Sequence, residues 1–107
     1  MSAFLDQLRV LVQAGNYVVS QHGARRLLTR SIDLDDVATG LATAETVEGY
    51  PDYFAGPAVL VLCSSPSGTP LHALWGLMKG TTEPAVLITA YLPDPAQWSA
   101  DFRIRKP

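Results

Sequence analysis

The chain has a single cysteine, Cys63, in 107 residues, so no internal disulfide can staple it. Set within Ala58-Val59-Leu60-Val61-Leu62-Cys63, that thiol reads as core packing rather than as a nucleophile. No apolar run reaches the ~18 residues of a membrane helix. The opening stretch from Met1 to Leu11 carries Asp6 in an amphipathic pattern, unlike a signal peptide, so no membrane partner and a cytoplasmic address are expected. Also missing are a paired-cysteine motif, a His-x-x-x-His, a Walker-type glycine loop and a dinucleotide fingerprint, and neither metal nor cofactor is expected. Asp33, Asp35 and Asp36 cluster, but a helix start accounts for them better than a metal does. Charge is sparse, at 17% of residues with a net of −2, which argues against a uniformly basic coat for nucleic acid.

What is present is an ordinary apolar fraction, 48%. A chain of this length should bury roughly 65% of its unfolded surface, enough for one core, and a single domain over residues 1–107 is expected. The charges are segregated. Residues 1–30 carry +3, residues 31–60 hold six acids and no base, and the tail from Ala96 to Pro107 carries +2 through Arg103, Arg105 and Lys106 against Asp101. If the two basic ends meet in the fold, they form a local anion site.

Phe4, Leu5, Leu8, Leu11 and Val12 recur at helical spacing after Ser2, and Gly15-Asn16 supplies a stop, so the spacing predicts a helix over 3–14. Tyr17 to Val19 is long enough only for a short strand. A helix from about Leu34 to Leu41 follows, with Asp33 as its cap and Ile32 stapled to Val37. After Thr43 the period becomes strand-like and the punctuation becomes proline and glycine. Strands are expected at Val47–Tyr50, 58–64, 71–78 and 85–91, with 58–64 and 71–78 pairing as an antiparallel hairpin around Ser65-Pro66-Ser67-Gly68-Thr69. In the strand 71–78, Leu71, Ala73, Trp75 and Leu77 face one way and His72, Leu74, Gly76 and Met78 the other. Phe102-Arg103-Ile104-Arg105 alternates like a final, half-buried strand. Helices first and strands afterwards predict an α+β domain, its N-terminal helices packed on one face of a mostly antiparallel, four- to five-stranded sheet.

Between the first strand and Asp33 lies Ser20-Gln-His-Gly-Ala-Arg-Arg-Leu-Leu-Thr-Arg30, in which Ser20 is a helix cap. At ~100° per residue, Ala24, Leu27 and Leu28 form an apolar stripe, while His22, Arg25, Arg26, Thr29 and Arg30 gather opposite. One imidazole among three guanidinium groups offers a base beside phosphate contacts. The competing reading is a solvated helix face.

The chain resembles the bacterial family called domain-of-unknown-function 4258, grouped with RelE-like and BrnT-like toxin folds. The resemblance rests on Ser20-Gln21-His22-Gly23-Ala24 with Arg30 downstream, Val47-Glu48-Gly49-Tyr50-Pro51, Leu71-His72-Ala73, and Ile88-Thr89-Ala90-Tyr91-Leu92-Pro93-Asp94-Pro95 followed by Trp98 and Arg103. The usual family form has alanine directly after the histidine, whereas Gly23 intervenes here. Such a resemblance implies a RelE-like fold, a partner antitoxin of the zinc-finger kind, and metal-independent cleavage of messenger RNA, free or on the ribosome, by attack of the ribose 2′-OH on the adjacent phosphorus. Carried over residue by residue, it makes His22 the candidate base. Arg26, Arg30 and Tyr91 join it as catalytic candidates, and Arg25, His72, Trp98, Arg103 and Arg105 as RNA contacts. Structural roles compete for each: Tyr91 anchoring a sheet edge, Trp98 as a core lid, His72 as a satisfied strand histidine, Arg103 and Arg105 as solvated tail. Two other functions stay open, a non-catalytic protein-binding module on the same fold and a gyrase-directed toxin.

Overall fold

The structure, a computed structural model, describes residues 3–107. Helix α1 spans Ala3–Gln13, strand β1 Tyr17–Val19, helix α2 Gln21–Arg30 and helix α3 Leu34–Gly40, followed by a single 3₁₀ turn at Leu41–Thr43. Strands β2 (Glu45–Tyr50), β3 (Ala58–Ser64), β4 (Pro70–Gly76) and β5 (Ala85–Tyr91) complete a five-stranded sheet of order β1-β5-β4-β3-β2. Only the β1–β5 pair is parallel. The fold is therefore the expected α+β arrangement. The Ser2 start expected for α1 lies outside the described residues, and β4 stops at Gly76, two residues short of the expected 78.

Alternation along the strands divides the sheet into two unlike faces. The inner face presents Val59, Val61 and Cys63 from β3, Leu71, Ala73 and Trp75 from β4, and Ala85, Leu87 and Ala90 from β5, all buried against Leu5, Leu8 and Val12 of α1, Val37 of α3 and Leu41. Tyr17 closes this layer with its ring edge-on to Trp75 at 5.7 Å. Two bulges keep the pattern in step. One in β5 sets Ala90 on the inner face with Leu87, and one in β2 at Val47 lets Glu45 oppose Leu62 and Glu48 oppose Leu60. Glu45 and Glu48 thereby share the outer face, which their spacing in an unbulged strand would forbid. Cross-strand registers then give two outer rows, Glu45–Leu62–His72–Tyr91 and Glu48–Leu60–Leu74–Thr89.

Helix α2 departs from its expected faces. Gly23 and Leu27 are its buried residues, whereas Ala24 is exposed and Leu28 is 84% exposed, so Ala24 and Leu28 are not part of an inward stripe. The cause is the border on which the helix lies. β1 pairs with β5 only as far as Leu87, and α2 takes over the rest of that edge: Ser20 N–H reaches Leu87 O at 3.0 Å, Ser20 Oγ donates to Ile88 O at 3.0 Å, and Arg30 Nη1 donates to Ala90 O at 3.0 Å. The contact line thus runs Ser20, Gly23, Leu27, Arg30. A Cβ on Gly23 would lie 2.9 Å from Leu87 O and 3.0 Å from Ile88 O, so only glycine allows this approach. Ser20 does cap the helix, accepting from Gly23 N–H at 2.9 Å, and Asp33 caps α3 through Asp35 N–H.

The expected strand at 102–105 does not form. Residues 97–106 instead fold back on themselves, with Ser99 N–H on Ile104 O, Lys106 N–H on Gln97 O and one bridge between Trp98 and Arg105. Phe102 at the turn has φ +61°, outside extended geometry, and Ile104 is 68% exposed. The segment crosses the outer face of the sheet instead of lining an edge, so it has no ladder to join.

Candidate functional site

That crossing segment is fastened at His72. The imidazole is fully buried, the only buried polar residue among those described, and both of its nitrogens have partners. Nε2 lies 2.8 Å from Phe102 O, and because a carbonyl only accepts, Nε2 carries the proton. Nδ1 is then the free lone pair, and Tyr91 Oη, 3.2 Å away, donates to it. Burial holds the imidazole below its usual pKa and the Arg105 charge adds to this, while the Phe102 carbonyl and Glu48 oppose it. Burial likewise raises Tyr91, so the phenol keeps its proton.

Trp98, 2% exposed, sits edge-to-face on His72 at 4.4 Å, and the Arg105 guanidinium lies 4.5 Å from the Trp98 ring centre. Arg105 also grips Glu48, with Nη2 to Oε1 at 3.0 Å and Nε to Oε2 at 3.4 Å. Glu48 in turn accepts from the Tyr50 hydroxyl, and first Arg105, then Tyr50, holds its carboxyl below the usual range. Arg103 pairs with the neighbouring acid of the same row system, Glu45, and with Asp101. These pairs are largely exposed, so water screens most of their Coulomb gain.

Beside this chain of contacts opens a cavity of about 540 Å³, lined by Arg30, Tyr91, Leu92, Asp94, Gln97, Trp98 and Arg105. Arg30 enters from the last turn of α2 and lies 5.9 Å from the Tyr91 ring centre. No ion pair among the described residues involves it. The two basic ends of the sequence thus do meet, through Arg30 and Arg105. The lining brings a phenol and two guanidinium groups together with one carboxylate, Asp94, so its net charge is positive and it can bind an anion and exchange a proton with it.

Of the residues singled out in the sequence, Arg30, Tyr91, Trp98 and Arg105 come together here, with His72 directly behind Tyr91. His22, Arg25 and Arg26 are exposed on α2 and do not line the cavity. His22 is at the opposite end of the helix from Arg30, eight residues or ~12 Å along the axis. Its ring contacts Arg26, Nε to Nε2 at 3.4 Å. Arg103 is turned toward Glu45, and Trp98 is too enclosed to offer a ring face to a base. Sequence reasoning passed over Glu48, Tyr50 and the Phe102 carbonyl. The six acids of residues 31–60 signalled that the basic tail had available partners, but the bulge that aligns two of them was not visible.

In class, then, this is an α+β domain with helices on one sheet face and, on the other, an irregular segment that closes an arginine- and tyrosine-lined cavity. The chain belongs to the family described as domain of unknown function (DUF4258), whose model matches residues 19–92. No curated protein and no solved structure matches it. The matched stretch contains Arg30, Glu48, His72 and Tyr91, whereas Asp94, Gln97, Trp98 and Arg105 follow it. Among the described residues no helix is long and apolar enough to cross a membrane.

Proposed function

We propose that the protein is a toxin-like, metal-independent endoribonuclease whose reaction takes place in the Arg30–Tyr91–Arg105 cavity. The observation that carries this reading is the pair of contacts at His72: Nε2 lies 2.8 Å from the Phe102 carbonyl, which can only accept, and this assigns Nδ1, 3.2 Å from Tyr91 Oη, as the proton acceptor. In the proposed step the ribose 2′-OH attacks the adjacent phosphorus and gives its proton to Tyr91 Oη, which passes its own to His72 Nδ1. The same proton returns through Tyr91 to the departing 5′-oxygen, leaving a 2′,3′-cyclic phosphate and a 5′-hydroxyl. Arg30, which has no carboxylate partner, and Arg105 stabilise the charge on the phosphorane. The imidazolium formed in passing is supported by the Phe102 carbonyl and by Glu48.

Relative to the sequence reading, the proton-transferring group becomes Tyr91 backed by His72, and His22 with Arg25 and Arg26 becomes a flanking surface. The RelE-like and BrnT-like resemblance supports the same chemistry, with an antitoxin as partner. Purified protein should cleave single-stranded RNA in the presence of chelator, and Tyr91→Phe should lower the rate by about 10²–10⁴. Equal rates for the two proteins would remove Tyr91 from the chemistry; absence of cleavage by folded wild-type protein would remove the activity itself.

A further inference from the structure

The cations that this reading needs are only partly free, and what occupies them is informative. Arg105 is held by Glu48 and Arg103 by Glu45, two carboxylates of one strand. A β-bulge is needed to bring both acids to the outer face, where they stand opposite Leu60 and Leu62. Those partners are two residues apart, so the backbone positions that carry the acids are spaced by about 7 Å along the strand. That spacing resembles the step between successive phosphates of an extended single strand. Arg30, by contrast, has no acid among its contacts and lies in the cavity with Arg105.

We infer that the outer face is a binding track for the backbone of single-stranded RNA, in which Glu45 and Glu48 stand in for two phosphates while the track is empty. The inference rests on the proposed ribonuclease reading and adds its regulation: the track is masked by the protein's own acids. Strand entry begins at Arg30, the cavity arginine that has no carboxylate partner, and then replaces Glu48 on Arg105 and Glu45 on Arg103. Glu45, Arg103 and Arg105 are exposed and the half-buried Glu48 keeps the Tyr50 hydroxyl, so each carboxylate can be released and a phosphate can take over each guanidinium at small cost. Because each exchange trades one anion for another, a masked arginine releases fewer counterions from the RNA than an open one does.

The test uses the full chain and a fluorescent 2′-O-methyl RNA oligomer, which lacks the attacking hydroxyl and so reports binding alone. Glu48→Gln and Glu45→Gln should each tighten binding, by about fivefold. Each should also steepen the dependence of log affinity on log salt by about 0.7. Asp52→Asn, which neutralises an exposed carboxylate in no ion pair among the described residues, should leave affinity and salt slope near wild type, which separates unmasking from a general change in surface charge. Unchanged affinity and salt slope in both single variants, with wild type binding and cleaving RNA, would overturn the masking while leaving the ribonuclease reading in place. No binding by wild type or by either variant would overturn the ribonuclease reading and the track with it.

Discussion

The two tryptophans sit on opposite faces of the same sheet and are almost equally buried, Trp75 fully and Trp98 to within 2%. Their surroundings differ in kind. Trp75 is one member of a continuous apolar layer shared by three strands and three helices. Trp98 is packed between an imidazole and a guanidinium, on a segment that carries only one bridge of regular structure. Equal burial thus serves two purposes. On the inner face it holds the fold together, and on the outer face it fastens a strap that walls a cavity.

Truncation should expose this contrast most sharply. Trp75→Ala is expected to cost about 3–5 kcal/mol of global stability in denaturant unfolding. Trp98→Ala should cost distinctly less, because the strap can detach alone, and should instead abolish amide protection over residues 97–106. Equal global losses would show that the strap is part of the core's cooperative unit. A weaker effect should come from pH. Because the buried His72 titrates below its ordinary value of 6.5, the unfolded chain takes up a proton before the folded one does. Stability from this source is complete above about pH 6.5 and is lost as the pH falls through the lowered native value. Unfolding free energies should therefore decline from pH 7.5 to 5.5, and His72→Gln should be less stable at pH 7.5 but flatter across the interval. The smallest effect is expected at His22. His22→Ala should change stability by less than about 0.5 kcal/mol and leave RNA cleavage unchanged; a large loss of cleavage would return the reaction to the tip of α2.

Much of the fold was legible because it is governed by local periodicity. The alternation of Leu71-His72-Ala73-Leu74-Trp75 placed His72 on the face opposite the core, and Ser20 and Asp33 announced their helices. The misreadings share another origin. Ala24 and Leu28 look like a core stripe on a helical wheel, but α2 lies along a sheet border whose geometry is set by the approach of Gly23 to β5. Phe102-Arg103-Ile104-Arg105 alternates like a strand, yet strand formation requires a free edge, and this segment crosses a face. For the candidate site, the charge segregation raised a meeting of the two basic ends only as a condition; in the structure Arg30 and Arg105 line one cavity, while His22 and Arg103 do not. Glu48 as partner of Arg105 depended on a one-residue bulge at Val47, which leaves no mark on composition or period.

The borders of the sheet bear on a separate matter, the tendency of exposed strands to recruit further strands. On one side β1 offers only three residues, and the remainder of β5 has its outward carbonyls taken by Ser20 and Arg30. On the other side β2 is interrupted by its bulge and carries two glutamates. Short edges, covered edges, bulges and charges are the devices by which β-proteins resist edge-to-edge aggregation. The residues that shape the cavity and its mask therefore also make both ends of the sheet poor templates for growth.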